Sequence, residues 1–195
     1  MKNIFYLLLF FQSLMVAQVK SSYTSVEKQM RLIPEQQTKS VQDIATYIQA
    51  SFKGEELQIK AAYFYVISTI SYDVNYNFST EIFSSDEDFV TKTITTKSGV
   101  CIHYAKLFKA IIDKLGFDCQ IVTGYTKQNN LIGNLSHAWC AMHLKDGNWY
   151  VFDPTWDSGY VKNQKFTRNI LSLHFKMLPS EAIKTHMPFD YLWQF

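Results

Sequence analysis

The order of its periodic segments constrains the fold of this chain more than any other feature. Apolar residues recur at helical spacing over residues 41–52, 55–70 and 101–115. Residues 118–153 are instead rich in Val, Ile, Trp, Tyr and Phe and are divided by turn-forming residues, which predicts two or three strands. With 195 residues, 47% of them hydrophobic, the chain has material for one sizeable core. We therefore expect a single domain in which helices precede strands.

The charge balance argues against two classes of partner. The chain carries 19 Lys and Arg residues against 17 Asp and Glu residues, a formal net charge of only +2. Nucleic-acid-binding proteins and polybasic membrane-surface proteins capture their partners with a strong positive field. We therefore expect neither a nucleic acid nor an anionic membrane surface as partner.

The first residues are typical of an export signal. Lys2 precedes the apolar run 4–11, and the small residue Ala17 offers a cleavage site. The run is too short to cross a bilayer and lacks the interleaved polar residues of an amphipathic helix. We expect residues 1–18 to be a signal peptide, and the mature protein to be periplasmic or extracellular without stable membrane insertion. Residues 19–39 are polar without a sustained apolar period, and we expect a linker or loosely packed arm.

A polar stretch over residues 75–97 separates the second predicted helix from the third. It contains an acidic group at 86–88 but lacks the alternating oxygen ligands and central glycine of a calcium loop. We interpret this stretch as a solvated loop. Near the C-terminus, Leu-Pro-Ser-Glu at 178–181 predicts one more short helix.

Cys101 differs from the other two cysteines in its place at the start of a helix. With Ser98 or Gly99 as the cap, Cys101 falls in the first turn, where free backbone N–H groups and the helix dipole stabilise an anion. Such a place favours the thiolate, which is the nucleophilic form. An inert buried cysteine is also common in this position, so partner groups must decide between the two interpretations.

The hairpin between two of the predicted strands can bring a histidine and an aspartate together. A two-residue loop puts Asp153 opposite Cys140, on the other face from His137. A three-residue loop with Gly147 in the left-handed conformation pairs Asp153 with Trp139, so that all three of His137, Trp139 and Asp153 share a face. We predict the second register, in which the imidazole and the carboxylate are diagonal neighbours within reach of each other.

The cysteine, the histidine and the aspartate form a chemical set. His137 would take and return the proton of the Cys101 thiol, while Asp153 would accept from the other ring nitrogen and fix the tautomer. The set supports transfer of an acyl group from a carboxamide or peptide carbonyl to sulfur, followed by attack of water or an amine. Taken singly, the histidine fits a buried structural role and the aspartate fits a turn. Their order after a helix-start cysteine favours catalysis.

Several motifs around these residues resemble the transglutaminase-like superfamily, in its bacterial, kyphoscoliosis-peptidase-like branch. The motifs are GVCIHYA at 99–105, VTGY at 122–125, HAW at 137–139 and WYVFDPTW at 149–156, with outer segments ISYD at 70–73, KTHMP at 184–188 and WQ at 193–194. The resemblance implies a papain-like α+β fold, with the helix that carries the nucleophile packed on an antiparallel sheet. It implies a catalytic domain over residues 40–195, a triad of Cys101, His137 and Asp153, and a thioester intermediate.

Some positions depart from the family pattern or stay open. His103 stands where members often have glycine, and it is expected to narrow the cleft or to supply a second polar group. The second oxyanion donor, beside the backbone N–H of Cys101, is unassigned, with Tyr72 as a candidate. Trp139 and Trp156 either line a substrate groove or belong to the core.

The residues leave the acyl acceptor open. Attack of water on the thioester makes a peptidase or deamidase, whereas attack of an amine makes a transglutaminase that cross-links Gln to amines. Because the chain has no calcium-loop signature, we expect hydrolysis of peptide or glutamine carboxamide bonds in a protein or peptide substrate. An exported binding or scaffold domain with an idle thiol is the alternative from a different class.

The other cysteines and histidines carry weaker expectations. Cys119 and Cys140 fall near one another if their strands are antiparallel neighbours, and a disulfide between them would leave Cys101 as the unpaired thiol. No metal or other cofactor is expected, because ligand spacing is absent among the remaining histidines, His143, His174 and His186.

Overall fold

The computed structural model describes residues 23–77, 83–128 and 131–194, and the signal peptide predicted over 1–18 lies outside them. Residues 23–30 are helical, and further helices are α1 (Val41–Ser51), α2 (Glu55–Thr69), α3 (Asp86–Thr96), α4 (Cys101–Lys114), α5 (Pro154–Ser158) and α6 (Pro179–Ala182). Short 3-10 helices cover Glu35–Thr38 and Tyr191–Trp193. The strands are β1 (Ser71–Tyr72), β2 (Ser98–Gly99), β3 (Gln120–Gln128), β4 (Leu131–His143), β5 (Trp149–Phe152), β6 (Gly159–Lys162), β7 (Lys165–Arg168) and β8 (His186–Pro188).

The three helices predicted from periodicity are present. Ser40 caps α1 by accepting a hydrogen bond from the backbone N–H of Asp43 at 3.1 Å, and the apolar stripe of α1 is buried. Helix α2 is buried on all sides over residues 59–67, which agrees with its apolar character all round. Both helices pack against α4. The predicted short helix near the C-terminus corresponds to α6.

A four-stranded antiparallel sheet, in the order β5-β4-β3-β8, forms the second layer. On one face the main core joins Tyr104 and Phe108 of α4 to Phe152 of β5. The other face carries a smaller core around Trp139. The fold is therefore α+β, and the helix that begins at Cys101 packs on an antiparallel sheet in the papain-like arrangement that the sequence predicts.

The β4–β5 hairpin has the predicted register. Cys140 pairs with Phe152, and the loop between the paired ends holds three residues closed by backbone hydrogen bonds. Gly147 adopts a left-handed φ of 82°, a conformation that glycine reaches without the strain a Cβ causes. This register brings the side chains of His137 and Asp153 into contact.

One segment expected to be a loop is a helix. Helix α3 occupies residues 86–96, within the stretch interpreted as a solvated loop over 75–97. Ser85 caps it by accepting from the N–H of Asp88 at 3.1 Å, and the acidic first turn complements the helix dipole. The loop interpretation is wrong. It rested on the overall polarity of the segment, whereas three apolar side chains on one face of the helix are buried: Phe89, Val90 and Ile94.

The segment expected to be a linker or arm packs on the domain over residues 23–30. Val26 and Met30 of this helix are each 2% exposed. Glu27 lies 3.0 Å from the ammonium group of Lys60, a fully buried lysine of α2. Val26 and Met30 are one turn apart, and this single repeat in the described part of the segment is too short to show as a sustained apolar period in the sequence. Within the described part of the chain, no helix is both long and apolar enough to cross a bilayer.

All three cysteines are free thiols. Strands β3 and β4 are antiparallel neighbours, as the disulfide hypothesis requires, and Cys119 and Cys140 are both fully buried. Burial raises the pKa of Cys140, and a hydrogen bond with the Cys119 thiol raises it further. The structure therefore contains two adjacent buried thiols where the sequence allows a disulfide.

Candidate active site

The first turn of α4 positions the Cys101 thiol. Val100 is extended, with φ of −102°, and the helix begins at the next residue, so the N–H of Cys101 is a first-turn donor without a partner inside the helix. His103 is 4% exposed, and its Nδ1 accepts from the N–H of Val100 at 3.2 Å. Its ring packs against Phe89 and Tyr76. His103 therefore supports the helix start from inside the protein, and the structure does not place it in the cleft.

Asp153 joins the end of β5 to the start of α5. Its Oδ1 accepts from the N–H groups of Thr155 at 2.9 Å and Trp156 at 3.2 Å, which makes it the helix cap. Pro154 suits the first helical position because it has no N–H to satisfy. The other oxygen, Oδ2, lies 2.7 Å from Nε2 of His137. The backbone thus fixes one carboxylate oxygen, and the second faces the imidazole.

Charge and hydrogen bonding set the protonation of this pair. Burial favours a higher pKa for Asp153, but the charge and hydrogen bond of His137, together with a hydrogen bond from His186, hold that pKa well below its usual range. Burial favours a lower pKa for His137, whereas Asp153 and, to a smaller extent, the Cys101 thiol raise it to about 10. The pair is therefore carboxylate and imidazolium at neutral pH.

The Cys101 thiol also acts on this imidazole, since its interaction with His137 contributes to the raised pKa of that histidine. Because Asp153 occupies Nε2, Nδ1 is the ring nitrogen that is left for the sulfur. An imidazolium beside a thiol stabilises the thiolate. The structure thus brings His137 and Asp153 into contact, and the Cys101 thiol acts on the same imidazole.

His186 is a fourth polar residue at this site, and the sequence interpretation missed it. It is 1% exposed, its Nε2 lies 3.1 Å from Oδ2 of Asp153, and its Nδ1 lies 2.9 Å from Oγ1 of Thr185. His186 arrives on β8, which pairs with β3. A Cβ at Gly124 of β3 would lie 2.1 Å from the carbonyl oxygen of Met187, so the glycine of the VTGY motif permits this close approach. That glycine and the KTHMP segment are the available sequence signals.

Among the described residues, two histidines and one carboxylate of this site form the group that could hold a metal ion. The ligand atoms of His137, Asp153 and His186 lie within 4.8 Å of one another, and imidazole and carboxylate are zinc ligands. However, the two Nε2 atoms lie 2.7 and 3.1 Å from the same Oδ2, which are hydrogen-bond distances. A metal would require both imidazoles to lose these protons, so the geometry fits a hydrogen-bonded network better than a metal centre.

The aromatic residues suggested for the cleft have different places. Trp139 is 2% exposed and belongs to the smaller core. Trp156 stacks on His137 with ring centroids 5.7 Å apart, and it lines a cavity of about 370 Å³ beside that ring. Tyr72 lines the same cavity, and its pKa is raised by burial and by the charge of the nearby Cys101 thiolate. Trp156 and Tyr72 therefore line the cavity beside His137, whereas Trp139 is a core residue.

The β6–β7 hairpin forms a further wall of this cavity, through Tyr160 and Phe166. Arg168 anchors the hairpin by donating to the carbonyl oxygen of Ile70 at 2.9 Å and to Oγ of Ser71 at 3.0 Å. These contacts tie the hairpin to the start of β1, the strand that carries Tyr72, another residue of the cavity wall.

Comparison with known proteins places the chain in a family. The model of the transglutaminase-like superfamily matches residues 42–154. Kyphoscoliosis peptidase of Homo sapiens is 33% identical over 112 residues, which are 53% of this chain and 17% of that protein. Cytokinesis protein 3 of Schizosaccharomyces pombe is 24% identical over 176 residues, which are 86% of this chain and 19% of that protein. The chain thus spans less than a fifth of the length of these curated relatives.

Among solved structures, the periplasmic domain of TgpA from Pseudomonas aeruginosa is similar with a TM-score of 0.49 and 19% identity, over 68% of this chain and 48% of that one. The family match is the more informative finding, because it runs from α1 to the first residue of α5 and includes the cysteine, the histidine and the aspartate of the site. It also covers more than half of the chain. The chain belongs to the transglutaminase-like superfamily.

Proposed function

We propose that this protein is an exported thiol-dependent acyl-transfer enzyme that hydrolyses peptide or glutamine carboxamide bonds. The observation that carries the proposal is the 2.7 Å hydrogen bond between the buried Asp153 and His137, on whose imidazole the Cys101 thiol also acts. Membership of the transglutaminase-like superfamily supports an enzyme. The export signal predicted from residues 1–18 supports a periplasmic or extracellular place of action.

The proposed reaction starts with a thiolate–imidazolium pair. The Cys101 sulfur attacks the carbonyl carbon of the substrate, and His137 gives its Nδ1 proton to the leaving amine or ammonia. The C–N bond breaks, and a thioester forms. Nδ1 then takes a proton from water, whose oxygen attacks the thioester carbon. The C–S bond breaks, the carboxylic acid product leaves, and Cys101 returns as the thiolate beside the His137 imidazolium. Asp153 keeps the imidazole oriented through both half-reactions.

We propose Tyr72 as the second oxyanion donor, beside the backbone N–H of Cys101. Tyr72 lines the cavity next to His137 and lies near the thiol. Among the described residues, its hydroxyl makes no hydrogen bond that would hold it away from a substrate oxygen. A hydrogen-bond donor aimed at the developing oxyanion stabilises the transition state more than the ground state.

The choice between water and an amine as acceptor is tested by product analysis. The protein is incubated with a glutamine-containing peptide and a labelled primary amine, and released ammonia, cleaved peptide and incorporated amine are quantified. Hydrolysis predicts that release of ammonia or cleavage exceeds incorporation. Dominant incorporation would instead identify a cross-linking transglutaminase.

A non-catalytic binding or scaffold function is tested with the thiol itself. Alkylation by iodoacetamide at neutral pH is followed at Cys101 by peptide mapping, with the buried Cys119 and Cys140 as internal references. An activated thiol reacts faster than a free cysteine. A rate no faster than that of a free cysteine would favour the scaffold function.

A further inference from the structure

A second imidazole–carboxylate pair lies beside the proposed catalytic pair. Nδ1 of His174 is 2.9 Å from Oδ1 of Asp157, a fully buried carboxylate of α5. Asp157 also accepts from the Tyr63 hydroxyl at 2.7 Å, and from the backbone N–H groups of Leu173 at 3.1 Å and His174 at 3.0 Å. The carboxylate is therefore saturated, and the His174 ring is held in one orientation with Nδ1 turned inward.

This orientation leaves the other ring nitrogen of His174 for the cavity. The His174 side chain is 18% exposed and lines the same 370 Å³ space as His137. Within the described part of the chain, no protein group hydrogen-bonds to its Nε2. Trp156 separates the two imidazoles: its ring stacks on His137 at 5.7 Å and meets His174 edge-on at 5.1 Å. His174 is thus one aromatic ring away from the reacting imidazole.

The cavity around His174 suits a negatively charged group. None of the described residues that line it is acidic, and its walls include the aromatic rings of Tyr72, Trp156, Tyr160 and Phe166. Apolar ring faces beside an ionic hydrogen bond lower the local dielectric constant and so strengthen that bond. Burial favours a lower pKa for His174, but the hydrogen bond and charge of Asp157 raise it above its usual value. The imidazole therefore takes up a second proton, on Nε2, more readily than an ordinary histidine does.

We propose that this cavity is a substrate subsite, in which Nε2–H of His174 binds a carboxylate of a residue adjoining the reacting carbonyl group. The inference rests on the proposed function, because it takes Cys101 as the point at which the substrate reacts. It assigns the protein a preference for an acidic side chain near the bond that is broken. Asp157 acts as the positioning residue that aims His174.

The test uses reagents that label Cys101 and differ in one charge. N-iodoacetyl-glutamate α-amide and N-iodoacetyl-glutamine α-amide have nearly the same shape, and versions with a glycine spacer place the tested group further from sulfur. The thiolate sulfur attacks the methylene carbon, the C–I bond breaks, and iodide leaves. Rates are measured by mass spectrometry at Cys101, and the readout is the rate ratio of the glutamate reagent to the glutamine reagent.

Two variants of the same residue separate the subsite from the packing role of His174. In His174→Asn the amide nitrogen replaces Nδ1 as donor to Asp157, but nothing replaces Nε2–H. In His174→Gln the amide replaces Nε2 as a donor to the cavity. His143→Asn is the matched control, because His143 is an exposed histidine of β4 outside the cavity.

The proposal predicts that the rate ratio falls about tenfold in His174→Asn at one of the two spacings, as for loss of one charge-assisted hydrogen bond. The ratio stays at the wild-type value in His143→Asn, and His174→Gln recovers part of it. Equal ratios in the wild type and His174→Asn at both spacings would overturn the subsite. Slow labelling by the neutral reagent in every protein would count against the proposed function instead, while the ratio still reports on the subsite.

Discussion

Replacement of Asp153 by Asn is the sharpest test of the proposed site, because it keeps the shape of the side chain and changes two contacts. The Asn oxygen can still accept from the N–H groups of Thr155 and Trp156, so the cap of α5 is preserved. The Asn amide group then occupies the place of Oδ2, where it points N–H donors at the N–H groups of His137 and His186. His137 must turn its Nε2 lone pair toward the amide, which moves its proton to Nδ1 and removes the imidazolium.

The size of the effect follows from the contact that is lost. The 2.7 Å bond between His137 and Asp153 joins two charged groups, one of them fully buried. Hydrogen bonds to charged groups contribute about 1.5–3 kcal/mol, which corresponds to a rate effect of roughly 10-fold to 150-fold. We therefore expect the alkylation of Cys101 by iodoacetamide at pH 6–7 to slow by about this factor. The pKa of His137 falls from about 10 toward that of an ordinary histidine.

The assay follows alkylation of Cys101 from pH 5 to pH 10 in the wild type, Asp153→Asn and Asp157→Asn. Asp157 is the matched control, because it is also a fully buried carboxylate of the same region that bonds to an imidazole, yet it does not contact His137. Asp157→Asn should leave the rate at neutral pH unchanged. A folded Asp153→Asn protein that reacts within twofold of the wild type across this range would refute the role assigned to the aspartate.

Four further outcomes are expected. His186→Phe removes the second donor to Oδ2 of Asp153 and should slow alkylation of Cys101 about tenfold. His186→Gln restores a donor and should recover most of the rate, and equal rates in both variants would contradict a role of His186 in holding Asp153. Tyr72→Phe should lower kcat of hydrolysis about 100-fold with little change in KM, and an unchanged kcat would remove Tyr72 as an oxyanion donor. Gly99→Ala places a Cβ 2.3 Å from Cγ of His103, so Tm should fall as for an overpacking cost of about 1–3 kcal/mol; an unchanged Tm would show that the ring moves freely. The pKa of Asp153 is lowered in the folded protein, so its charge stabilises the fold above about pH 4, and this stabilisation is lost as the pH falls. The urea concentration at the midpoint of unfolding should therefore drop more between pH 6 and pH 3 in the wild type than in Asp153→Asn.

Local rules reduced the hairpin that brings His137 to Asp153 to two registers. The observed one has Gly147 left-handed in a three-residue loop, and the alternation of side chains then puts His137 and Asp153 on one face. The place of Cys101 follows from a helix whose apolar stripe begins just after it. Each of these signals spans only a few residues, so it can be evaluated without knowledge of the rest of the fold.

Long-range packing explains what local rules could not supply. His186 reaches the carboxylate through the pairing of β8 with β3, and these strands are separated by some sixty residues of chain. The role of His103 depends on Phe89 of α3, a helix that the polarity of its segment conceals. Likewise, Val26 and Met30 are buried because α2 offers a surface that their own segment does not reveal.

The proposed site also shows why its parts depend on one another. Asp153 follows β5, caps α5 and accepts from two imidazoles, so the same carboxylate organises the backbone and the protonation of His137. Its second imidazole donor can approach only because Gly124 leaves room for the backbone of β8. A substitution at Gly124 would therefore act on the reaction at a distance, by moving His186 and weakening the hold on Asp153. Selection for the chemistry should accordingly extend to this glycine, which contacts no substrate in the proposed reaction.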